Sequence, residues 1–144
     1  MFYFDSAYVA KCYLNDPDSD RVRDMVRNPV PLYSSALAIA EVSCAIHRRV
    51  REGSINRKGA QELAERFRQH VEGGTWTLVP VSQQLLWDVH EVTKNLPSRT
   101  FLRAGDALHL GSARVAGFSE VWTNDAHILA AAKHFGLRGR SVES

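Results

Sequence analysis

Three aspartates of the chain stand where a strand or loop gives way to a helix, and one glutamate stands inside a helical stretch: Asp5, Asp106, Asp125 and Glu41. Asp5 follows the aromatic strand signal Phe2-Tyr3-Phe4 and precedes the apolar-rich run Ala7 to Leu14. Asp125, in Val-Trp-Thr-Asn-Asp-Ala-His, has the same relation to a later strand, and Asp106, in Arg-Ala-Gly-Asp-Ala-Leu-His-Leu, opens a helix after an irregular loop. Taken singly, each is explained as a helix N-cap, a position that favours aspartate. Glu41 is not, because it reads as about two turns inside its helix, beyond reach of capping and of the dipole. Its face neighbours Leu37, Cys44 and Ala45 are apolar, so the carboxylate needs a partner, an arginine being the plain choice.

Together the four acids suggest more. Ligands of open α/β sheets bind outside the carboxyl ends of the strands, which is where such junction residues converge. Carboxylates gathered there repel one another unless a cation joins them. An oxygen-only donor set without cysteine or well-placed histidine selects Mg²⁺ or Mn²⁺ over zinc. Cys12 and Cys44 form no C-x-x-C pair and are expected to be reduced and buried. A covalent aspartyl-phosphate route usually has a second aspartate two residues after the first, and that position is Ala7.

The elements that must position these acids follow from local signals. Strand signals fall at 2–4, Pro29 to Tyr33, Thr75 to Val81 and Val121 to Thr123, with Leu137 to Val142 as a fifth, edge strand. Helical patterns cover Ala7 to Leu14, Asp20 to Arg27, a long stretch capped by Ser34-Ser35 and ending near Arg51, Ile55 to Val71, Ser82 to Asn95, Asp106 to Val115 and Asp125 to Phe135. Ile39, Val42, Ile46 and Val50 mark a buried stripe on the long helix. Strands alternating with helices predict an α/β fold with a parallel sheet of four to five strands, covered on both faces. No repeat or interdomain linker interrupts the 144 residues, which are expected to form one domain over 1–144.

Composition narrows the class further. Apolar residues at 44% and charged residues at 24% are those of a globular domain. No window reaches the apolar length of a membrane span and the start carries no signal-peptide pattern, so a cytoplasmic location and no membrane partner are expected. The formal charge of +2 does not by itself announce a nucleic-acid binder, but setting four acids against a cation leaves a modest positive excess for phosphate.

Four short stretches, Phe4 to Ala7, Ala40-Glu41-Val42, Arg103 to Leu110 and Thr123-Asn124-Asp125, resemble the motifs of the PIN-domain ribonucleases, and within them the VapC-type toxins of bacterial toxin-antitoxin pairs. The likeness runs through essentially the whole chain. It implies a three-layer α/β/α domain and a metal-dependent endoribonuclease in which Asp5, Glu41, Asp106 and Asp125 are the acidic set. Asp5 and Asp106 are then the leading metal ligands, Asp125 a ligand or its support, and Glu41 a ligand or proton acceptor. Ser6 and Thr123 match hydroxyl positions that support the acids, with Asn124 beside the last. An RNA substrate, a VapB-like antitoxin partner and a homodimer are the associations implied. A non-catalytic RNA- or protein-binding module of the same fold is the alternative.

Single-stranded or looped RNA is the favoured substrate, since no groove-reading helix is evident. Arg48, Arg49 and Arg51 on the long helix, with Arg99 and Arg103 before Asp106, are candidates to hold phosphates, and Arg103 stands close enough to pair with an acid instead. His109 and His127 read as surface or packing residues, and Trp76, Trp87 and Trp122 as core.

Overall fold

Alternation along the first strand sets the layers. The computed structural model describes residues 1–143, and in β1 (Phe2–Tyr3) and the residue that follows it, Phe2 and Phe4 turn to one face while Tyr3 turns to the other. Phe2 and Phe4 join a core with α1 (Ser6–Lys11), α2 (Ser19–Met25), α3 (Ala38–Arg51) and α4 (Arg57–Glu72), through Tyr8, Val22, Val42 and Phe67. Tyr3 joins a second core with α6 (Ala104–Val115), α7 (Ala126–Ala131) and the 3₁₀ turn Ala132–Phe135, through Leu110, Ile128 and Phe135. Both faces of the sheet are therefore covered, as a parallel sheet requires. Each fully buried side chain of the Val42 or Leu110 kind contributes roughly 1.5–3 kcal/mol.

β1 pairs in parallel with β2 (Leu32–Ser35), and β2 with β3 (Trp76–Val79), with Phe2 opposite Leu32 and Leu32 opposite Trp76. β4 (Glu120–Trp122) pairs in parallel with β5 (Arg138–Arg140), and a parallel bridge from Phe4 to Trp122 joins the two sets. The spatial order is β5-β4-β1-β2-β3. The chain thus winds to one side of β1 and later returns on the other, which places a topological switch point at the carboxyl ends of β1 and β4. Asp5 and Asp125 lie just past those two ends. α5 (Gln83–Lys94), capped by Ser82, packs on α6 outside the sheet. No helix among the described residues is long and apolar enough to cross a membrane.

Several local expectations are corrected. Ser34 and Ser35 do not cap α3; they extend β2 opposite Leu78 and Val79, and α3 begins at Ala38. Glu41 is therefore in the first turn of its helix rather than two turns inside it. α6 begins at Ala104, so Asp106 is a first-turn residue and not a cap. Of the proposed α3 stripe, Val42 and Ile46 are buried but Ile39 is exposed. Trp76 is core and Trp122 half-buried against Phe2, whereas Trp87 is exposed on α5. Cys44 is exposed; Cys12 is half-buried, its thiol pushed up to about 12 by burial.

Gly139 in β5 lets α7 sit close to the sheet, since a Cβ there would lie 2.7 Å from Leu129 Cδ2 and 3.0 Å from Leu129 Cα. Because the second of these atoms is backbone, Gly139→Ala must displace α7 rather than a flexible side-chain tip. The expected loss is about 1–3 kcal/mol, read as a lower urea midpoint with unchanged slope. An unchanged midpoint would show that the contact between β5 and α7 yields freely.

Candidate functional site

At the switch point, each acid is held by its own element and tied to the next. Asp5 ends β1 in an extended conformation and caps α1, its Oδ1 accepting from the Tyr8 amide at 2.9 Å. Its Oδ2 accepts from the Thr123 hydroxyl, and that hydroxyl in turn accepts from the Asp125 amide at 2.9 Å. Thr123 is itself fixed by its amide donating to the Arg140 carbonyl. Asp125 caps α7, its Oδ1 accepting from the amides of His127 and Ile128 at 2.8 and 3.2 Å. The plain capping reading of Asp5 and Asp125 is correct as far as one oxygen goes. The other oxygen of each carboxylate faces elsewhere.

Glu41 joins from α3 and Asp106 from α6. Glu41 Oε1 accepts from the Ser6 hydroxyl at 2.8 Å and from His109 Nε2 at 2.9 Å. Its Oε2 lies 3.6 Å from where a Cβ on Gly105 would be, so Glu41 faces the first turn of α6, the turn that also carries Asp106. Arg103 spans the remaining gap, with Nε 3.4 Å from Asp106 Oδ2 and Nη2 3.5 Å from Asp125 Oδ2. These long contacts come from a side chain that is itself 62% exposed, and a pair so open to water is loosely held.

His109, read from the sequence as a surface or packing residue, is buried and tied to the site, a link the sequence reading missed: its two ring nitrogens reach Tyr3 Oη at 3.0 Å and the Ser6 and Glu41 oxygens at 2.9 Å. Burial pushes the Tyr3 phenol upward, so it keeps its proton and donates it to Nδ1, which leaves the Nε2 hydrogen for Glu41. His109 falls one turn after Asp106 on α6, and that spacing is the local signal that it shares the acid's face. His127, by contrast, is exposed as expected and packs on Phe101.

Electrostatics moves Asp5 and Glu41 in opposite directions. Burial raises the Asp5 carboxyl above its ordinary range, against the lowering effects of the His109 imidazole and of the Thr123 and Tyr8 hydrogen bonds; the Asp125 charge adds to the rise. The His109 hydrogen bond lowers Glu41, helped by Ser6 and by the Arg103 charge, against partial desolvation.

Asn124 points away from the acids. Its Oδ1 accepts from Tyr8 Oη at 2.6 Å and the Ser141 hydroxyl at 2.7 Å, and its Nδ2 donates to Asp18 at 3.1 Å, so it locks the turn before Asp125 to α1 and the final residues. Arg48 stands seven residues after Glu41, roughly 10 Å along α3, and pairs with Glu52 at 2.8 Å. Arg49 is engaged by Asp16, while Arg51 and Arg99 are exposed.

The family follows from the whole sequence. The profile of the PIN domain matches residues 2–137. The chain belongs to the PIN-domain family. PIN domains are in general nucleases. No curated protein matches the chain. Among solved structures, FitAcB from Neisseria gonorrhoeae matches this PIN domain with 16% identity and a TM-score of 0.72, covering 96% of each chain. A structure of FitAB bound to an IR36 DNA fragment matches with 17% identity and a TM-score of 0.69, over 98% of this chain and 94% of that one. At such identities the likeness is one of fold.

Whether this PIN domain's acids suit a dication is decided by their donor atoms. All four present carboxylate oxygens, and the positive charge between Asp106 and Asp125 comes from an exposed, loosely seated guanidinium that can withdraw. Among the described residues no three are posed around a common point as a cation would draw them. The donor chemistry fits a hard dication, with Arg103 standing where that charge is needed.

Proposed function

We propose that this chain is a Mg²⁺- or Mn²⁺-dependent endoribonuclease and the toxin of a type II toxin-antitoxin pair. The observation that carries the reading is the meeting at the switch point of two linked sets, Asp5, Thr123, Asp125, Arg103 and Asp106 in one and Ser6, Glu41 and His109 in the other. Asp5, Asp106 and Asp125 would hold the cation, and Glu41 is the proton acceptor. When bound, a dication makes a water more acidic and offsets charge on a phosphodiester. The chain supplies the rest. Thr123 ties the Asp5 carboxylate to the Asp125 backbone; Ser6 and His109 hold one oxygen of Glu41 and keep it ionised, ready to take a proton. Arg103, once displaced from Asp106 and Asp125, is free to hold a phosphate of the RNA, with Arg99 beside it and Arg48 farther along α3. The products are 5′-phosphate and 3′-hydroxyl ends.

A like-folded chain occurs in FitAB bound to DNA, and with the motif resemblance this supports a VapB-like antitoxin as the protein partner. Exposed Ile39, Leu86 and Trp87 offer apolar surface for a homodimer. One PIN domain over 1–144, acting in the cytoplasm, completes the reading.

The test is incubation of the purified protein with a pool of structured RNAs and Mg²⁺ or Mn²⁺, with and without chelator, beside a folded Asp106→Asn variant. Metal-dependent cutting by the wild type alone is expected. Chelator-insensitive RNA binding without cleavage would favour the binding module, for which the acid-neutralising Arg103 is the supporting observation. Arg103→Ala removes the competing charge, so the Mn²⁺ concentration that half-saturates the thermal shift is expected to fall several-fold; no change would mean that Arg103 does not guard the acids.

A further inference from the structure

Phe101 lies in the loop before α6 and is 53% exposed. Burial does not account for a large aromatic there. The exposed His127 ring lies against it, with centroids 4.3 Å apart and planes tilted by 39°, and the Arg103 guanidinium carbon lies 6.0 Å from the Phe101 centroid. Both neighbours lead directly to the acids: the His127 amide donates to Asp125 Oδ1, and Arg103 reaches Asp106 and Asp125. A short aromatic ledge thus adjoins the carboxylates, with a cation between them.

We propose that Phe101, steadied by His127, is a stacking platform for one unpaired nucleobase next to the scissile phosphate, with Arg103 holding the phosphate between base and acids. The proposal rests on the ribonuclease reading and sharpens its substrate. Proteins that bind single strands combine a cationic track with aromatic faces on which bases stack, and that combination tolerates many sequences because every base has a π-face. A base held within a duplex is already stacked on both sides and cannot seat on the ledge. The site therefore selects an unpaired nucleotide at one fixed position relative to the cut, and the remainder of the RNA is free to be structured.

The experiment uses the Asp5→Asn protein, so that RNA is bound while cutting is slowed at least about a hundredfold, and a short single-stranded RNA carrying 2-aminopurine at each position in turn. At one position the probe's emission is expected to be quenched on binding. Adding Phe101→Ala abolishes that quench and weakens binding about five- to a hundredfold, whereas Phe101→Trp keeps both. An abasic nucleotide at the same position removes the difference between Phe101 and Ala, which a merely structural effect on Arg103 would not do. Because Phe101 is exposed, the variants are expected to melt with the parent. If Phe101→Ala binds within twofold of the parent with the quench intact, while the wild type still cuts RNA with metal, the ledge is wrong and the nuclease reading stands. If the wild type cuts nothing and the Asp5→Asn protein binds no RNA, both fall.

Discussion

Asp5→Asn is expected to melt at a higher temperature than the wild type in chelator while cutting RNA about a hundred- to a thousandfold more slowly, the scale on which loss of one charge-placing group acts. The two effects have one cause. Asp5 is 3% exposed, and burial raises its carboxyl above the ordinary value. For an acid whose folded pKa lies above its unfolded one, the folded state binds the proton more tightly. Ionisation then costs stability, beginning as pH rises through the unfolded value of about 3.8 and reaching its full size above the folded value. Wherever the pH exceeds the folded value, the wild type carries that whole cost. Asparagine removes the charge and still offers Oδ1 to the Tyr8 amide, as a cap of equal rank. The stability gap between variant and wild type should therefore narrow as pH falls toward the unfolded value. Mn²⁺ should raise the wild-type melting temperature, by stabilising the form that binds it, and leave the variant's unchanged. A variant that melts below the wild type in chelator would return Asp5 to the plain role of a helix cap.

The second large effect is at His109. Leucine there leaves the buried Tyr3 hydroxyl without its acceptor and deprives Glu41 of its donor. An unpaired buried polar group costs about 1–3 kcal/mol, and loss of a group that orients a reacting carboxylate costs about ten- to a hundredfold in activity. Glutamine separates these effects, since its side-chain amide can donate to Glu41 from near the Nε2 position but does not restore a ring nitrogen beside Tyr3. His109→Gln should thus recover most of the cleavage rate, chiefly in kcat, while remaining as unstable as His109→Leu. If Leu and Gln variants cut alike, His109 does not act through Glu41.

Much of the fold could be read from short-range signals. The strand at 2–4 and the helices after Asp5 and Asp125 are announced by aromatic runs, caps and periodicity, the three aspartates by their junctions, and Glu41 by the apolar neighbours on its helix face. What escaped depends on partners far along the chain. His109 meets Tyr3 from 106 positions away and Glu41 from 68, and nothing adjacent to it declares those contacts. Ser34 and Ser35 look like caps because serine favours caps, yet pairing with β3 claims them for β2. That shift moved the start of α3 and altered the reason Glu41 is unusual. It is not too deep for a helix dipole; it has traded backbone amides for a hydroxyl and an imidazole. Arg103 was partly legible, three residues before Asp106, but its reach to Asp125 depends on the switch point bringing β4 beside β1.

The central claim, hydrolysis by a carboxylate-held dication, is tested most directly by the chemistry of the cut ends. RNA cut by the wild type in Mn²⁺ should be sequenced and assayed for terminal groups. The expected products carry a 5′-phosphate and a 3′-hydroxyl, as attack by water on the phosphodiester gives. Fragments ending in a 2′,3′-cyclic phosphate with a free 5′-hydroxyl, formed also in chelator, would contradict it. Such ends would mean that the RNA's own 2′-hydroxyl attacks and that His109 or His127 moves the proton, with the four acids left as structure.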